Sequence, residues 1–304
     1  MERAANLADV QSLQVRWLER PEEFERAAEL LAEIWGMEDL RDTIPGHFMR
    51  AIADNGGVVL GAFDSEGRMV GILVGILAMD RETGKIYHYS HMLGVVKDLR
   101  YSGLGYKMKL AQREELLKRG IDLVMWTFDP LRGPNAKLNF SKLGAICRRY
   151  YENYYGELRD ELNVGEVTDR FKVEWWIESE RVARRLAGEF PTPPLAVLME
   201  HARMITETEE IEKGVRRLVG YDLNAREDFL LVEIPGDYDL VRREAPGAAR
   251  EWRMGTREIF ETYFGRGYLA VDFATSGSGR ERRNFYLLWK ADLEEVLKSR
   301  YPFG

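Results

Sequence analysis

The stretch HMLGVVKDLRYSGLGYKMK, residues 91–109, decides the fold of the N-terminal half of the chain. Its first residues are apolar and predict the end of a strand, and its last residues predict a helix over 104–119. Gly103 and Gly105 lie where that helix begins. The first amides of a helix have no intrahelical acceptor and form the positive end of its dipole, and glycine lets a bulky anion reach them. The stretch therefore predicts an anion site suited to a pyrophosphate; the alternative is a glycine-rich turn that holds no ligand.

Two well-known phosphate-binding patterns do not fit this stretch. The dinucleotide-binding fingerprint requires a further glycine where Met108 stands. The Walker A pattern requires Gly-Lys followed by Ser or Thr, whereas Leu104 and Tyr106 follow the two glycines. An anion bound at residues 100–106 would therefore contact backbone amides in neither of these two known arrangements.

The flanking residues predict alternating strands and helices. Apolar spacing and turn residues predict helices at 21–34, 45–54 and 135–151, and strands at 58–63, 69–79, 87–96, 121–128 and 170–177. The strands at 58–63 and 69–79 form a predicted hairpin, and the strand–helix–strand unit that follows is a parallel crossover. We therefore expect an α/β (α+β) fold with a mixed sheet and helices on its faces.

A proline-rich segment divides the chain. Pro191-Thr192-Pro193-Pro194 is typical of a stiff linker. We predict one domain over 1–190, a linker over 191–205 and a smaller α+β domain over 206–304, with strands at 230–234, 268–273 and 284–289 and a helix at 248–264. The charged tract 207–213 is interpreted as a solvated helix face.

Composition narrows the functional classes. The 304 residues are 45% hydrophobic and 31% charged, with a formal net charge of −7. This acidic balance argues against a general nucleic-acid binder. The single Cys147 excludes an internal disulfide, and no metal-ligand spacing of histidines occurs. Residues 1–10 lack a signal pattern, and no apolar run approaches the roughly 20 residues of a membrane helix. The expectation is a cytoplasmic protein with no membrane partner and no metal.

Arg100-x-x-Gly103-x-Gly105 between a strand and a helix resembles the acyl-CoA signature of the GNAT superfamily of N-acetyltransferases. The predicted order of elements is similar as well, over about residues 13–178. The segment NAKLNFSKLG, residues 135–144, resembles the second CoA-facing helix of that superfamily. The resemblance implies a mostly antiparallel central sheet with a splayed parallel pair, and it leaves the C-terminal part uncovered.

The resemblance also implies how acetyl-CoA, the acyl donor, is bound. The backbone of Leu93, Gly94 and Val95 would pair with the pantetheine arm, and Asn135 would reach it from the other side. Arg100 would fix the turn and add positive charge. The amides that would hold the pyrophosphate belong to Tyr101, Ser102, Gly103, Leu104, Gly105 and Tyr106. An amine would then attack the thioester directly, with a backbone amide stabilising the oxyanion.

The amine nucleophile must lose a proton, and His91 is the candidate general base. The two-residue period of a strand places Tyr89, His91, Leu93 and Val95 on one face and His88 on the other. A structural role for His91 is an equal alternative. Asp129 is a second candidate, for orienting a base or binding the amine, against an equal alternative as a turn cap before Pro130.

The sequence departs from the family at one catalytic position. Many GNAT enzymes have a tyrosine that protonates the leaving thiolate, where this chain has Phe140. Tyr150, Tyr151 or another group would replace it, or the thiolate would leave unassisted; packing is the commoner role of such tyrosines. Cys147 has no evident activating partner and is interpreted as a buried structural thiol.

The sequence therefore predicts an acyl-CoA N-acyltransferase that moves an acetyl group from acetyl-CoA to a primary amine of a small molecule. The alternatives are a protein or peptide N-acetyltransferase and a non-catalytic CoA-binding module. The C-terminal domain would cap the acceptor side or build a homodimer surface. Asp39 and Asp42 would favour a cationic amine, or simply mark helix termini.

Overall fold

The computed structural model describes residues 10, 12–37, 43–156, 167–298 and 301–303. Contacts divide the chain into two compact units, residues 1–126 with 155–167 and residues 127–154 with 168–304. The predicted domain boundary near residue 190 stays a prediction, because these contact units follow a different division of the chain. Asp39 and Asp42 lie outside the described residues.

The first unit contains the strands that flank the glycine turn. Its strand order is β1-β2-β3-β4-β5, antiparallel up to β4, and β5 runs parallel to β4. The strands are β1 (Gln14–Trp17), β2 (Val58–Phe63), β3 (Met69–Met79), β4 (Ile86–Val95) and β5 (Leu123–Phe128). The last two residues of β5, Thr127 and Phe128, belong to the second unit. The helices are α1 (Pro21–Trp35), α2 (Gly46–Asp54) and α3 (Leu104–Leu117). The predicted hairpin and parallel crossover are thus confirmed.

Helix α1 covers one face of this sheet because its apolar residues recur at helical spacing. Phe24, Ala27, Leu30 and Leu31 are buried in one cluster that includes residues of β2 and β3. At its N-terminus, the Glu23 carboxylate accepts the amides of Glu19 and Arg20 at 2.8 and 3.3 Å and so supplies acceptors for the start of the helix.

The second unit holds a sheet of order β7-β6-β12-β13-β11-β8 and a separate ribbon of β9 and β10. Its strands are β6 (Ile146–Tyr151), β7 (Arg170–Trp176), β8 (Arg203–Met204), β9 (Thr206–Glu212), β10 (Val215–Tyr221), β11 (Phe229–Ile234), β12 (Tyr268–Ser276) and β13 (Arg283–Lys290). Its helices are α4 (Gly133–Ala136), α5 (Glu180–Leu186), α6 (Leu195–His201), α7 (Tyr238–Glu244), α8 (Pro246–Gly265) and α9 (Leu293–Leu297). The predicted α/β class with a mostly antiparallel sheet and a parallel pair is confirmed.

Two secondary-structure predictions in the second unit are wrong. The helix predicted over 135–151 ends early, because α4 passes into a π-helical turn (Lys137–Lys142) and Gly144 takes a φ of 73°, which favours glycine. Residues 146–151 then form strand β6, which suits their branched and aromatic side chains. The tract 207–213 is not a helix either, because most of it forms β9, whose acidic side chains pair with β10, as in Glu209 with Arg217.

In the parts of the chain that the structure describes, every helix is too short or too polar to cross a membrane.

Candidate functional site

Strand β4 carries a β-bulge at His91. The antiparallel register pairs Met92 with Val74 and Ser90 with Gly75, so His91 is an extra residue on β4. An extra residue interrupts the strict alternation of side chains between the two faces of a strand. The bulge thus lies within the strand that the sequence predicts to carry the site.

The bulge overturns the prediction that Tyr89, His91, Leu93 and Val95 share one face. Tyr89 and His91 do share a face, because their rings stack with centroids 6.1 Å apart. Leu93 instead points toward α3, since its Cδ2 lies 3.8 Å from the position of a Cβ at Gly105. Gly94 takes the α1 side, where a Cβ would lie 2.6 Å from the Trp35 ring. The two-residue period fails because it assumes a strand without an extra residue.

Strand β5 pairs with only the first half of β4. The parallel register with β5 consists of His88 with Val124 and Tyr89 with Met125. Among the described residues of the first unit, the segment from Ser90 to Val95 pairs with β3 alone. Its outward backbone groups are therefore available to an extended ligand that binds as an extra strand would.

The turn after β4 leads directly into the first turn of α3. A 3₁₀ turn (Lys97–Leu99) leads to Tyr101, whose φ is 63°, and to Gly103, whose φ is 103°. Gly103, the N-cap of α3, has no side chain, and the Leu104 amide donates instead to Oγ of Ser102 at 3.4 Å. A Cβ at Gly103 would meet nothing within 4 Å, so the space above the helix start is open. These features fit an anion bound by the first turn of α3.

Arg100 anchors this turn to the rest of the unit. Its guanidinium donates to the carbonyl oxygen of Ile34 at 2.9 Å, near the C-terminal end of α1. A cation is favourable at the C-terminus of a helix, where the dipole is negative. The predicted role of Arg100 in fixing the turn agrees with this contact, and its contact with an anion stays a prediction.

The two histidines of β4 differ in environment. His91 is exposed, but the packing of its ring against protein withdraws it partly from water and lowers its pKa. His88 is fully buried, and its Nδ1 lies 3.2 Å from Nε2 of Gln112. Burial, followed by the charge of Lys109, lowers the pKa of His88 to about 3, so its ring is neutral at pH 7. Of the two, His91 is the one that a solvent-borne amine can reach.

A buried lysine that was not predicted from the sequence lies beneath the bulge. Lys109 is 2% exposed, and its Nζ donates to Oγ of Ser90 at 2.8 Å and to Oε1 of Gln112 at 3.2 Å. Its ammonium also lies 3.8 Å from the ring centroid of Trp126. The sequence does contain a pattern that indicates this burial. Lys109 and Gln112 fall on the same helical stripe as the buried Leu104, Met108 and Leu116.

Lys109 should make the stability of the protein depend on pH. Burial lowers its pKa from 10.5 to about 7, so between these values the unfolded chain binds more protons and the free energy of unfolding rises with pH. Each unit of the pKa difference corresponds to about 1.4 kcal/mol. Urea unfolding of wild type and Lys109→Met from about pH 7 to about pH 9.5 measures this, and wild type should gain stability relative to the variant. Parallel curves would contradict the effect.

Asp129, a predicted catalytic residue in the second unit, is largely buried in an ion pair. Its two carboxylate oxygens accept from Arg253 at 2.7 and 2.8 Å. It also caps the turn after Pro130, because Oδ1 accepts the Leu131 amide at 3.0 Å. Burial alone raises the pKa of Asp129, but the charges of Arg253 and Arg132 outweigh it and lower the net pKa. These contacts favour the structural alternative for Asp129.

The remaining predicted residues of the second unit fall in different environments. Tyr151 is partly buried against the Tyr154 ring, with centroids 5.2 Å apart. The hydroxyl of Tyr150 donates to Asp169 at 2.6 Å, and burial raises the pKa of this tyrosine. Asn135 is exposed in α4. The role of Tyr151 as proton donor and that of Asn135 as cofactor contact stay predictions.

Phe140 and Cys147 are both part of the core of the second unit. Phe140 is fully buried and lies edge-on to Tyr286, with ring centroids 5.5 Å apart. Cys147 is free and buried, and burial raises its thiol pKa well above the ordinary value. The interpretation of Cys147 as an inert structural thiol agrees with these contacts. Within the described ranges, no cluster of three or more His, Cys, Asp or Glu side chains is arranged to hold a metal ion.

No protein-family profile and no curated protein matches the sequence. Solved structures of GNAT acetyltransferases are similar to it. An acetyltransferase of the GNAT family from Streptococcus pneumoniae is 19% identical, with a TM-score of 0.43, over 53% of this chain and 98% of that one. The ribosomal-protein-S18-alanine N-acetyltransferase from Escherichia coli is 15% identical, with a TM-score of 0.42, over 54% and 94%. A putative acetyltransferase from Salmonella typhimurium, solved with its cofactor acetyl-CoA, is 14% identical, with a TM-score of 0.43, over 55% and 95%.

Proposed function

We propose that this protein transfers an acetyl group from acetyl-CoA to a primary amine of a small molecule. One observation carries the proposal: the glycine-lined start of α3 adjoins the segment of β4 from Ser90 to Val95, which pairs with β3 alone among the described residues of the first unit. An anion site next to an open strand edge suits a ligand with a pyrophosphate and an extended amide-containing arm. Coenzyme A has both.

The first unit supplies the groups that would hold the donor. The backbone of Leu93, Gly94 and Val95 would bind the arm, and the amides from Tyr101 to Tyr106 would bind the pyrophosphate. When bound, acetyl-CoA supplies an activated acyl group, and the protein orients it.

His91 would take the proton of the attacking amine. Its lowered pKa keeps the ring neutral near pH 7, the form that accepts a proton. Phe140 cannot protonate the departing thiolate, and a thiol with a pKa near roughly 8.5 leaves without that help. The lack of a proton donor at Phe140 favours one competing function, a CoA-binding module without turnover. The cytoplasmic location and the homodimer surface remain predictions.

Release of the CoA thiol in the presence of acetyl-CoA and a panel of small amines, polyamines and short peptides tests the proposal. Replacing His91 by glutamine should lower kcat by about 100-fold and remove the loss of rate on the acidic side of the pH profile. His47→Gln, at an exposed position of α2, is the matched control and should retain full rate.

Acetyl-CoA binding with no turnover of any amine would support the non-catalytic module instead. Turnover of peptides alone would support the protein-directed alternative. Full activity in His91→Gln would remove His91 from the mechanism and leave the donor site in place.

A further inference from the structure

Four polar side chains form a continuous chain between α3 and β4 in the first unit. Nδ1 of His88 lies 3.2 Å from Nε2 of Gln112, and Oε1 of Gln112 accepts from Lys109 at 3.2 Å. Lys109 then donates to Ser90 at 2.8 Å. All four residues are 5% exposed or less. These hydrogen bonds join His88 and Ser90, alternate residues of β4, to Lys109 and Gln112 on one stripe of α3.

Stability alone does not account for Lys109. Among the described residues its ammonium contacts a hydroxyl, an amide oxygen and the face of Trp126, and no carboxylate balances its charge. Removing an ammonium from water is unfavourable, and apolar residues of similar volume often replace buried charged groups at no loss of stability. A methionine would fill the same space without that cost.

The position of these four hydrogen-bonded side chains indicates what Lys109 does. Ser90 immediately precedes His91, the extra residue of the β4 bulge. Lys109 lies on α3, which has Gly103 as its N-cap and Gly105 in its first turn. The Lys109–Ser90 hydrogen bond therefore joins the helix with the glycine turn to the strand at its irregular point. Bulges disrupt the local ladder, so a side-chain bond next to one can fix its conformation.

We infer that Lys109 is a positioning residue that holds Ser90 and thereby fixes the bulge and the ring of His91 relative to the start of α3. It touches neither the donor nor the amine. The consequence for catalysis rests on the proposed function, whereas the effect on His91 does not.

The test follows the titration of the His91 imidazole by NMR in Lys109→Met, Ser90→Ala and the double variant. Each single variant should shift the His91 midpoint by about half a pH unit, and the double variant should shift it no further. The free energy of unfolding of Lys109→Met at pH 7 should equal or exceed that of wild type. Lys118→Met, at an exposed position just past the end of α3, is the control and should leave His91 unchanged.

An unchanged His91 titration in both single variants would overturn the inference, as would additive shifts in the double variant. Ser90→Ala removes one oxygen and keeps the test valid if Lys109→Met fails to fold. The measurement needs neither acetyl-CoA nor an amine, so it reports on Lys109 even if the protein has no transferase activity. If turnover exists, Lys109→Met should lower kcat with little change in KM for acetyl-CoA.

Discussion

Replacing Gly105 by glutamate is expected to lower the affinity for acetyl-CoA and CoA by at least about 100-fold without unfolding the protein. A carboxylate in the first turn of α3 would occupy the place of the pyrophosphate and repel it. The same charge interacts favourably with the helix dipole, by about 0.3–1 kcal/mol, so the fold should be unchanged or slightly more stable. Binding and stability would then move in opposite directions.

Gly105 is a better position for this test than Gly103. The φ of 103° at Gly103 favours glycine, so any side chain there would strain the backbone as well as block the ligand. At Gly105 the nearest atom to a new Cβ would be Cδ2 of Leu93 at 3.8 Å, an ordinary contact. Gly105→Ala is therefore the control for backbone and helix propensity, and it should keep most of the affinity.

Calorimetric titration of acetyl-CoA and of CoA into wild type, Gly105→Ala and Gly105→Glu measures the effect. Equal affinity in wild type and Gly105→Glu would place the pyrophosphate away from α3. A folded wild-type protein that binds neither compound would contradict the enzyme and the CoA-binding module together. Thermal unfolding of each variant without ligand separates these outcomes from loss of the fold.

The parts of the site that depend on local sequence could be predicted. The start of α3, the hairpin of β2 and β3 and the parallel crossover follow from glycine positions, turn residues and hydrophobic period, which act over a few residues. The boundaries of β2 and β3 agree with the prediction to the residue.

The bulge at His91 could not be predicted in this way. It arises from the register between β4 and β3, and nothing in the residues from Ile86 to Val95 marks one of them as extra. The prediction that Leu93 and His91 lie on the same face of the strand was wrong for this reason. The burial of Lys109 was not predicted for another reason. A lysine on a helix is usually solvated, and its burial becomes evident only when it is considered together with the apolar residues of the same helical stripe.

The partner of Asp129 was also beyond the sequence. Asp129 and Arg253 are 124 positions apart in the chain, and no local pattern connects them. The dipeptide Asp129-Pro130 predicts a turn, and the structure has one there. An acidic residue at the end of a strand, however, is typical both of a catalytic group and of a buried ion pair. The distances to Arg253 show that the ion pair exists, and the catalytic role of Asp129 stays a prediction.

Replacing Asp129 by asparagine is therefore expected to destabilise the second unit by about 3–5 kcal/mol. The asparagine oxygen can still cap the Leu131 amide, so the change removes the charge and leaves the turn in place. Arg253, 2% exposed, would then be buried without the carboxylate that pairs with it. Urea unfolding of the variant should show a lower midpoint with an unchanged slope.

The double variant Asp129→Asn with Arg253→Met distinguishes a structural from a catalytic role. It removes both charges, so it should recover much of the lost stability, because the cost lies in the uncompensated cation rather than in the missing pair. If Asp129→Asn instead unfolds like wild type and lacks turnover with normal acetyl-CoA binding, Asp129 acts on the reaction. In that case the ion pair with Arg253 would serve to keep the carboxylate charged and oriented, and the catalytic hypothesis would replace the structural one.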